Sequence, residues 1–217
     1  MSLIAFDFDG TLSDSEMTVL LGEKLGVADE MADITERAMN DELSYAESLR
    51  SRADLLTGLD EAAAEDAYGQ VELRPDAATL IDRLREAGHT VAIFTGGFER
   101  GVQRALEADD TAVDRIVSNR LPIADGELTG EVEGPLIEGT KDDQLEELAA
   151  ELGVQMSDTI AVGDGANDLP MLEVAGLAVG FEPKPAVQAS CDEVVSTMAA
   201  LGTLLEGRGV LAAAVDD

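Results

Sequence analysis

Asp7 and Asp9 stand two residues apart where the apolar run Leu3-Ile4-Ala5-Phe6 gives way to Gly10. In a regular strand such residues share a face. Two carboxylates that close repel each other unless a cation or a shared proton lies between them. Alone, the pair fits either a cation site or a solvated turn. A second acidic cluster, Asp164 with Asn167 and Asp168, follows another apolar run, Thr159-Ile160-Ala161-Val162. Together the clusters offer the oxygen ligands that suit Mg²⁺, which takes few carboxylates and completes its shell with water and substrate phosphate. Zn²⁺ fits poorly, because the single His and the single Cys, Cys191, lie far apart in sequence. Thr95-Gly96-Gly97 sits between an apolar run and a helical pattern. A hydroxyl beside exposed N–H groups at a helix start suits a phosphate, although an ordinary strand-to-helix loop reads the same way. Lys141 lies early in a helix, behind Thr140, and is one of only three lysines beside eleven arginines. Its point charge would offset phosphate and carboxylate repulsion, or simply face solvent.

The elements that must position these residues alternate. After the first strand, residues from about Asp14 to Tyr68 follow helical spacing: Val19, Leu20 and Leu25, then Ile34, Ala38 and Met39, then Leu49, Ala53 and Leu56. Pro75 suits the first turn of a helix with the stripe Ala77, Leu80, Ile81 and Leu84, ended by Gly88. A buried strand is predicted at 91–94, a helix at 99–108 and a strand at 115–118. Asp125-Gly126 and Thr129-Gly130 mark a small β excursion within 121–134. Thr140 is positioned to cap a helix whose buried face is Leu145, Leu148, Ala149 and Leu152, stopped by Gly153. A strand at 159–162, a helix at 169–175, a strand at 177–179 and two short αβ elements follow. The tail 207–217 is expected to fray. Strands that are continuously apolar and separated by helices predict an α/β fold, a mostly parallel sheet with helices on both faces. The polar residues of interest then sit at strand ends, where open α/β sheets bind ligands.

The charge excludes several functions. Of 217 residues, 46 are Asp or Glu against 14 Lys or Arg, a formal net charge of −32. Such a surface repels nucleic acid and anionic membrane, so neither is expected as a partner. With 45% hydrophobic residues interleaved among the charges, the chain is expected to fold. No apolar run reaches the roughly 18 residues of a membrane helix, and no basic-then-apolar leader opens the chain. A cytoplasmic protein, monomeric or homodimeric, is expected. Charge of this density over a whole domain is a device of halophiles, in which salt screens the repulsion.

Taken in order, the motifs resemble those of the haloacid dehalogenase-like phosphohydrolases. Asp7-Phe8-Asp9-Gly10-Thr11-Leu12 is similar to the first, Thr95-Gly96-Gly97 to the second, Lys141 to the third and Gly163-Asp164-Gly165-Ala166-Asn167-Asp168 to the fourth. The resemblance implies a three-layer α/β/α Rossmann-like core over 1–13 and 74–217, with a small helical cap inserted over 14–73. Within that superfamily the chain is most similar to the phosphoserine phosphatase family. The likeness lies in Glu16, Met39, the stretch Leu43-Ser44-Tyr45-Ala46-Glu47-Ser48-Leu49-Arg50-Ser51-Arg52, Phe98, Asn119-Arg120-Leu121 and Leu128-Thr129-Gly130. It implies hydrolysis of O-phospho-L-serine, the last step of serine biosynthesis. Asp7 would be the nucleophile and Asp9 the acid and base. Mg²⁺ would sit on Asp7, the Asp9 backbone carbonyl and Asp164. Thr95, Gly96, Gly97 and Lys141 would bind phosphate. Glu16 would meet the substrate ammonium and Arg52 its carboxylate, with Arg50 the neighbouring candidate. Asn167 and Asp168 would complete the metal environment and orient Lys141, and Asn167 would also contact the substrate. The chain departs from that family at Thr95, where Ser is more common, and at Gly10, where Ser or Thr is usual.

Overall fold

The computed structural model describes residues 1–39 and 42–213. The side chain of Met39 lies outside the described part. At the centre is β1 (Leu3–Phe6), hydrogen-bonded in parallel to β2 (Thr90–Phe98) on one side and β6 (Thr159–Gly163) on the other. With β3 (Arg115–Asn119), β7 (Leu177–Phe181) and β8 (Glu193–Val195), the order is β3-β2-β1-β6-β7-β8, parallel throughout. The chain builds outward from β1 through β2 to β3, then returns to the other side of β1. The reversal leaves a crevice at the carboxyl ends of β1 and β6, the position where such sheets bind ligands.

Both sheet faces are apolar, which explains why the strands show no polar alternation. Leu3 and Ala5 of β1 pack with Ala92, Phe94 and Ala161 into one cluster. That cluster is covered by α7 (Lys141–Leu152), α8 (Leu169–Val174) and α9 (Pro185–Gln188). Ile4 and Phe6 point the other way and join Val91, Ile93, Ile160 and Val162. That face carries α5 (Ala77–Glu86), α6 (Glu99–Ala108) and α10 (Met198–Gly207).

Between β1 and α5 the described residues form the helices α1 (Met17–Leu25), α2 (Ala28–Met39), α3 (Tyr45–Asp54) and α4 (Glu61–Tyr68). Their buried residues Met17, Leu21, Leu49, Leu56 and Tyr68 continue the second cluster through Phe98 and Val102. The short antiparallel pair β4 (Ile123–Ala124) and β5 (Glu127–Leu128) forms around Asp125-Gly126, as the turn residues predict. It is stitched to the α3–α4 loop by backbone bonds: Gly58 N–H to Leu128 O (2.9 Å), Leu128 N–H to Leu59 O (2.8 Å) and Glu61 N–H to Gly126 O (2.8 Å).

Several local expectations need correction. Pro75 lies before α5, whose N-cap residue is Asp76 in a left-handed conformation (φ 67°). Thr140 precedes α7 but does not cap it, because its hydroxyl donates to Pro135 O instead (2.7 Å). β2 runs on through Thr95-Gly96-Gly97 to Phe98, with an irregular register to β3 between Thr95 and Phe98. Much of the C-terminal tail is held rather than frayed: Leu211 is buried, and Arg83 donates to Ala212 O (3.1 Å). Residues 214–217 lie outside the described part.

Candidate active site

β1 delivers Asp7 into the crevice, and the Asp7 N–H donates to Val162 O of the neighbouring strand (2.8 Å). The chain then turns tightly, Thr11 and Ser13 N–H both donating to Phe8 O. Gly10 holds φ +91°, and a Cβ there would lie 2.6 Å from Asp164 Oδ2. Both facts explain glycine at this position: the backbone is left-handed, and the neighbouring carboxylate leaves no room for a side chain.

Asp7, Asp164 and Asp168 are all buried, and each offers an oxygen within 4.8 Å of the others. Lys141, also buried, donates from Nζ to Asp7 Oδ1 (2.6 Å) and Asp168 Oδ1 (2.5 Å). Asp168 accepts on its other oxygen from the N–H groups of Asp164 and Gly165 (2.9 Å each). One residue thus orients Lys141, fixes the loop after β6 and joins the acidic trio. Lys184, just before α9, donates from Nζ to Asp164 Oδ2 (2.8 Å), while its backbone N–H donates to Asp164 O (2.8 Å).

The electrostatics follow from this crowding. Burial pushes the Asp7 carboxyl up to about 7; Asp168 and Asp164 add to the rise, and Lys141 opposes it. Burial first, then the charges of Glu16 and Asp7, hold Asp9 well above the usual carboxylate range. Asp164 is raised, chiefly by burial, and a hydrogen bond from Lys184 opposes the rise. Asp7 Oδ2 and Asp9 Oδ1 are buried without a hydrogen-bond partner among the described residues. A buried polar atom left unpaired is costly. An all-oxygen trio with an orphaned carboxylate oxygen therefore fits a hard divalent cation.

The irregular C-terminal end of β2 adjoins this cluster. Gly97 N–H donates to Thr95 Oγ1 (2.9 Å), and Asn119 Nδ2 of β3 donates to Gly96 O (3.1 Å). From the helical segment, Glu16 stands exposed at the N-cap position of α1 with no capping hydrogen bond. Arg52 donates from Nη1 to Thr18 Oγ1 (3.1 Å), and its Nε is buried without a partner among the described residues. Arg50 points elsewhere, to an ion pair with Glu138. Asn167 is half-buried beside Gly165.

The structure therefore gathers Asp7, Asp9, Asp164, Asp168 and Lys141 at one strand edge, with Thr95, Gly96 and Gly97 at the adjoining one. Sequence reasoning missed two participants. Lys184 was marked only by the scarcity of lysine. Tyr45 carried no chemical signal of its own, yet its hydroxyl lies over Gly96 and feels the charges of Lys141, Arg52, Asp7 and Asp9.

A family model for haloacid dehalogenase-like hydrolases matches residues 4–173. The chain is 54% identical over 210 residues to a phosphoserine phosphatase of Halobacterium salinarum, covering 97% of this chain and 100% of that one. A phosphoserine phosphatase of Lactococcus lactis is 41% identical over 189 residues, 87% of each chain. Among solved structures, a substrate-bound phosphoserine phosphatase complex superposes with a TM-score of 0.87 at 34% identity, covering 94% of this chain and 97% of that one. A phospho-aspartyl intermediate analogue of phosphoserine phosphatase gives 0.86 at 35% identity, covering 94% and 98%.

Proposed function

The chain belongs to the haloacid dehalogenase-like hydrolase family, and within it we infer that it cleaves O-phospho-L-serine to L-serine and phosphate through an aspartyl-phosphate on Asp7. The observation that carries this reading is the meeting of two groups of residues across one cleft. On one side is the Asp7–Lys141–Asp168 cluster with Asp9 and Asp164. On the other is Arg52, a guanidinium with an unsatisfied buried N–H, which suits a carboxylate. Glu16 stands in the same cleft, near Asp9, as the anion for the substrate ammonium.

Asp7, Asp164 and the backbone carbonyl of Asp9 would hold a divalent cation, which we take to be Mg²⁺, with Asn167 and Asp168 around it; when bound, it neutralises charge on the phosphoryl group and the nucleophile. The protein's own residues do the rest. Thr95, the amides of Gly96 and Gly97, and Lys141 bind the phosphoryl oxygens. Gly97 N–H turns from its present partner, Thr95 Oγ1, to that ligand, whereas Lys141 keeps Asp7 and Asp168 and offers its third N–H. Asp7 attacks phosphorus and the bond to the seryl oxygen breaks. Asp9, whose hold on a proton burial strengthens, gives that proton to the seryl oxygen. As a carboxylate, it then takes a proton from the water that attacks the aspartyl-phosphate, releasing phosphate and restoring Asp7.

In this reading residues 14–73 are the substrate-selecting cap. The −32 charge marks a protein working in a salt-rich cytoplasm. A phosphatase for another small phosphorylated amino acid or phosphorylated carboxylic acid is the alternative. One phosphate-release panel decides between them, run with Mg²⁺ in molar KCl on phosphoserine, phosphothreonine, phosphoglycolate and sugar phosphates. A preference for phosphoserine of at least about tenfold in kcat/KM is expected. Comparable values on a sugar phosphate would overturn the roles of Glu16 and Arg52.

A further inference from the structure

Tyr45 is the first residue of α3, and the position of that helix start is fixed. Ser44 Oγ accepts from Glu47 N–H (3.2 Å), and the Glu47 side chain accepts in return from Ser44 N–H (2.9 Å). The phenol is thereby carried across the cleft onto the irregular end of β2. A Cβ built on Gly96 would lie 1.6 Å from the Tyr45 hydroxyl oxygen and 2.9 Å from ring carbon Cζ. The helical segment thus touches the Thr95-Gly96-Gly97 end of β2 with a hydroxyl group, in space that glycine at 96 leaves open.

The surroundings say what that hydroxyl is for. Lys141, Arg52, Asp7 and Asp9 all act on it electrostatically, so it lies among the phosphate-side cation, the carboxylate-side cation, the nucleophile and the proton donor. Burial pushes the phenol up to about 12, so it stays protonated and remains a donor at working pH. No hydrogen bond from this hydroxyl is made to the described residues. Two of the other phosphate-side donors already have protein partners: Gly97 N–H holds Thr95 Oγ1, and Lys141 holds two carboxylates.

We propose that the Tyr45 hydroxyl is a phosphoryl-binding donor supplied by the helical segment, so that the phosphate of the substrate is held from both sides of the cleft. This rests on the active-site assignment made above. It separates two contacts made by the same helix: Arg52 reads the amino-acid part of the substrate, and Tyr45 reads the phosphate common to all its esters.

Tyr45→Phe tests this directly, since it keeps the ring and removes only the donor. Three quantities are measured on wild type and variant with Mg²⁺ present: kcat/KM on phosphoserine, kcat/KM on p-nitrophenyl phosphate, and the inhibition constant of inorganic phosphate. A thermal melt checks that the fold is retained. The expected result is a loss of about tenfold in all three by a common factor, as befits a hydrogen bond to a charged group. A loss on phosphoserine alone, with phosphate inhibition unchanged, would place the hydroxyl on the seryl side and overturn the proposal. Three unchanged values would reduce Tyr45 to packing and overturn it as well. If wild type shows no preference for phosphoserine while the variant still loses phosphate and aryl phosphate together, the substrate reading fails and the role of Tyr45 stands.

Discussion

At the carboxyl ends of β1 and β6, Lys141 is shared between Asp7 and Asp168, and Asp168 also anchors two backbone amides. Across the cleft, Arg52 keeps a buried Nε–H without an acceptor and Glu16 caps nothing. The first region is cross-linked by its own charges before any ligand arrives. That is the arrangement needed to stabilise charge developing in a transition state without reorganisation. The second region holds unmet hydrogen-bonding capacity, which a ligand of matching shape can satisfy. On the proposed reading, the contrast puts rate at the sheet edge and selectivity on the inserted helices, and each half can be broken separately.

The largest effect is expected from Asp7→Asn. It preserves shape and the neighbourhood of Lys141 but removes the nucleophile, so kcat should fall by about 10⁴-fold or more on every phosphate ester. Residual turnover within about tenfold of wild type would move the covalent step away from Asp7.

Arg52→Ala sharpens the other half. Its kcat/KM on phosphoserine should drop by about 100-fold, while p-nitrophenyl phosphate stays within about threefold, because only the former carries the carboxylate. Equal losses on both substrates would merge the two regions into one.

The smallest effect concerns protons. The Asp7 carboxyl titrates near 7 in the folded protein, against 3.8 as the ordinary value. Between those pH values the folded state holds a proton that the unfolded chain has released, so stability falls as pH rises, and the contribution levels off above about 7. In EDTA, the melting temperature of wild type minus that of Asp7→Asn should therefore decline by a few degrees as pH rises through this window. A difference that stays constant, or rises, would show that Asp7 is already ionised throughout.

The sheet edge was more legible in the sequence than the cleft it faces. Leu3-Ile4-Ala5-Phe6 and Ile160-Ala161-Val162 are apolar up to the point where the chain leaves the core, so Asp7 and Asp164 announced themselves as strand-end carboxylates. Local patterning ended β2 at Phe94, but the strand continues to Phe98 because Asn119 of β3 pairs with Phe98 beyond the irregular stretch. That is a tertiary contact with no local signature. The placement of Tyr45 over Gly96 escaped notice for the same reason: a helix-start tyrosine reads as partial burial until the fold brings a distant loop beneath it. Gly10 looked like a departure from the family pattern. The Asp164 carboxylate beside it and its left-handed backbone supply a physical reason for glycine that only the three-dimensional arrangement reveals.

Of the three lysines, two end on the same carboxylate cluster, Lys141 fully covered and Lys184 with about half its side chain open, at 51%. The third, Lys24, is paired with Asp66 and mostly covered, at 25%. Lysine chemistry on this protein therefore falls chiefly at the candidate active site. Coupling it to a support or a dye through lysine would seat the adduct on Lys184, at the rim of the reaction centre, whereas the many surface carboxylates offer attachment points that leave the centre clear.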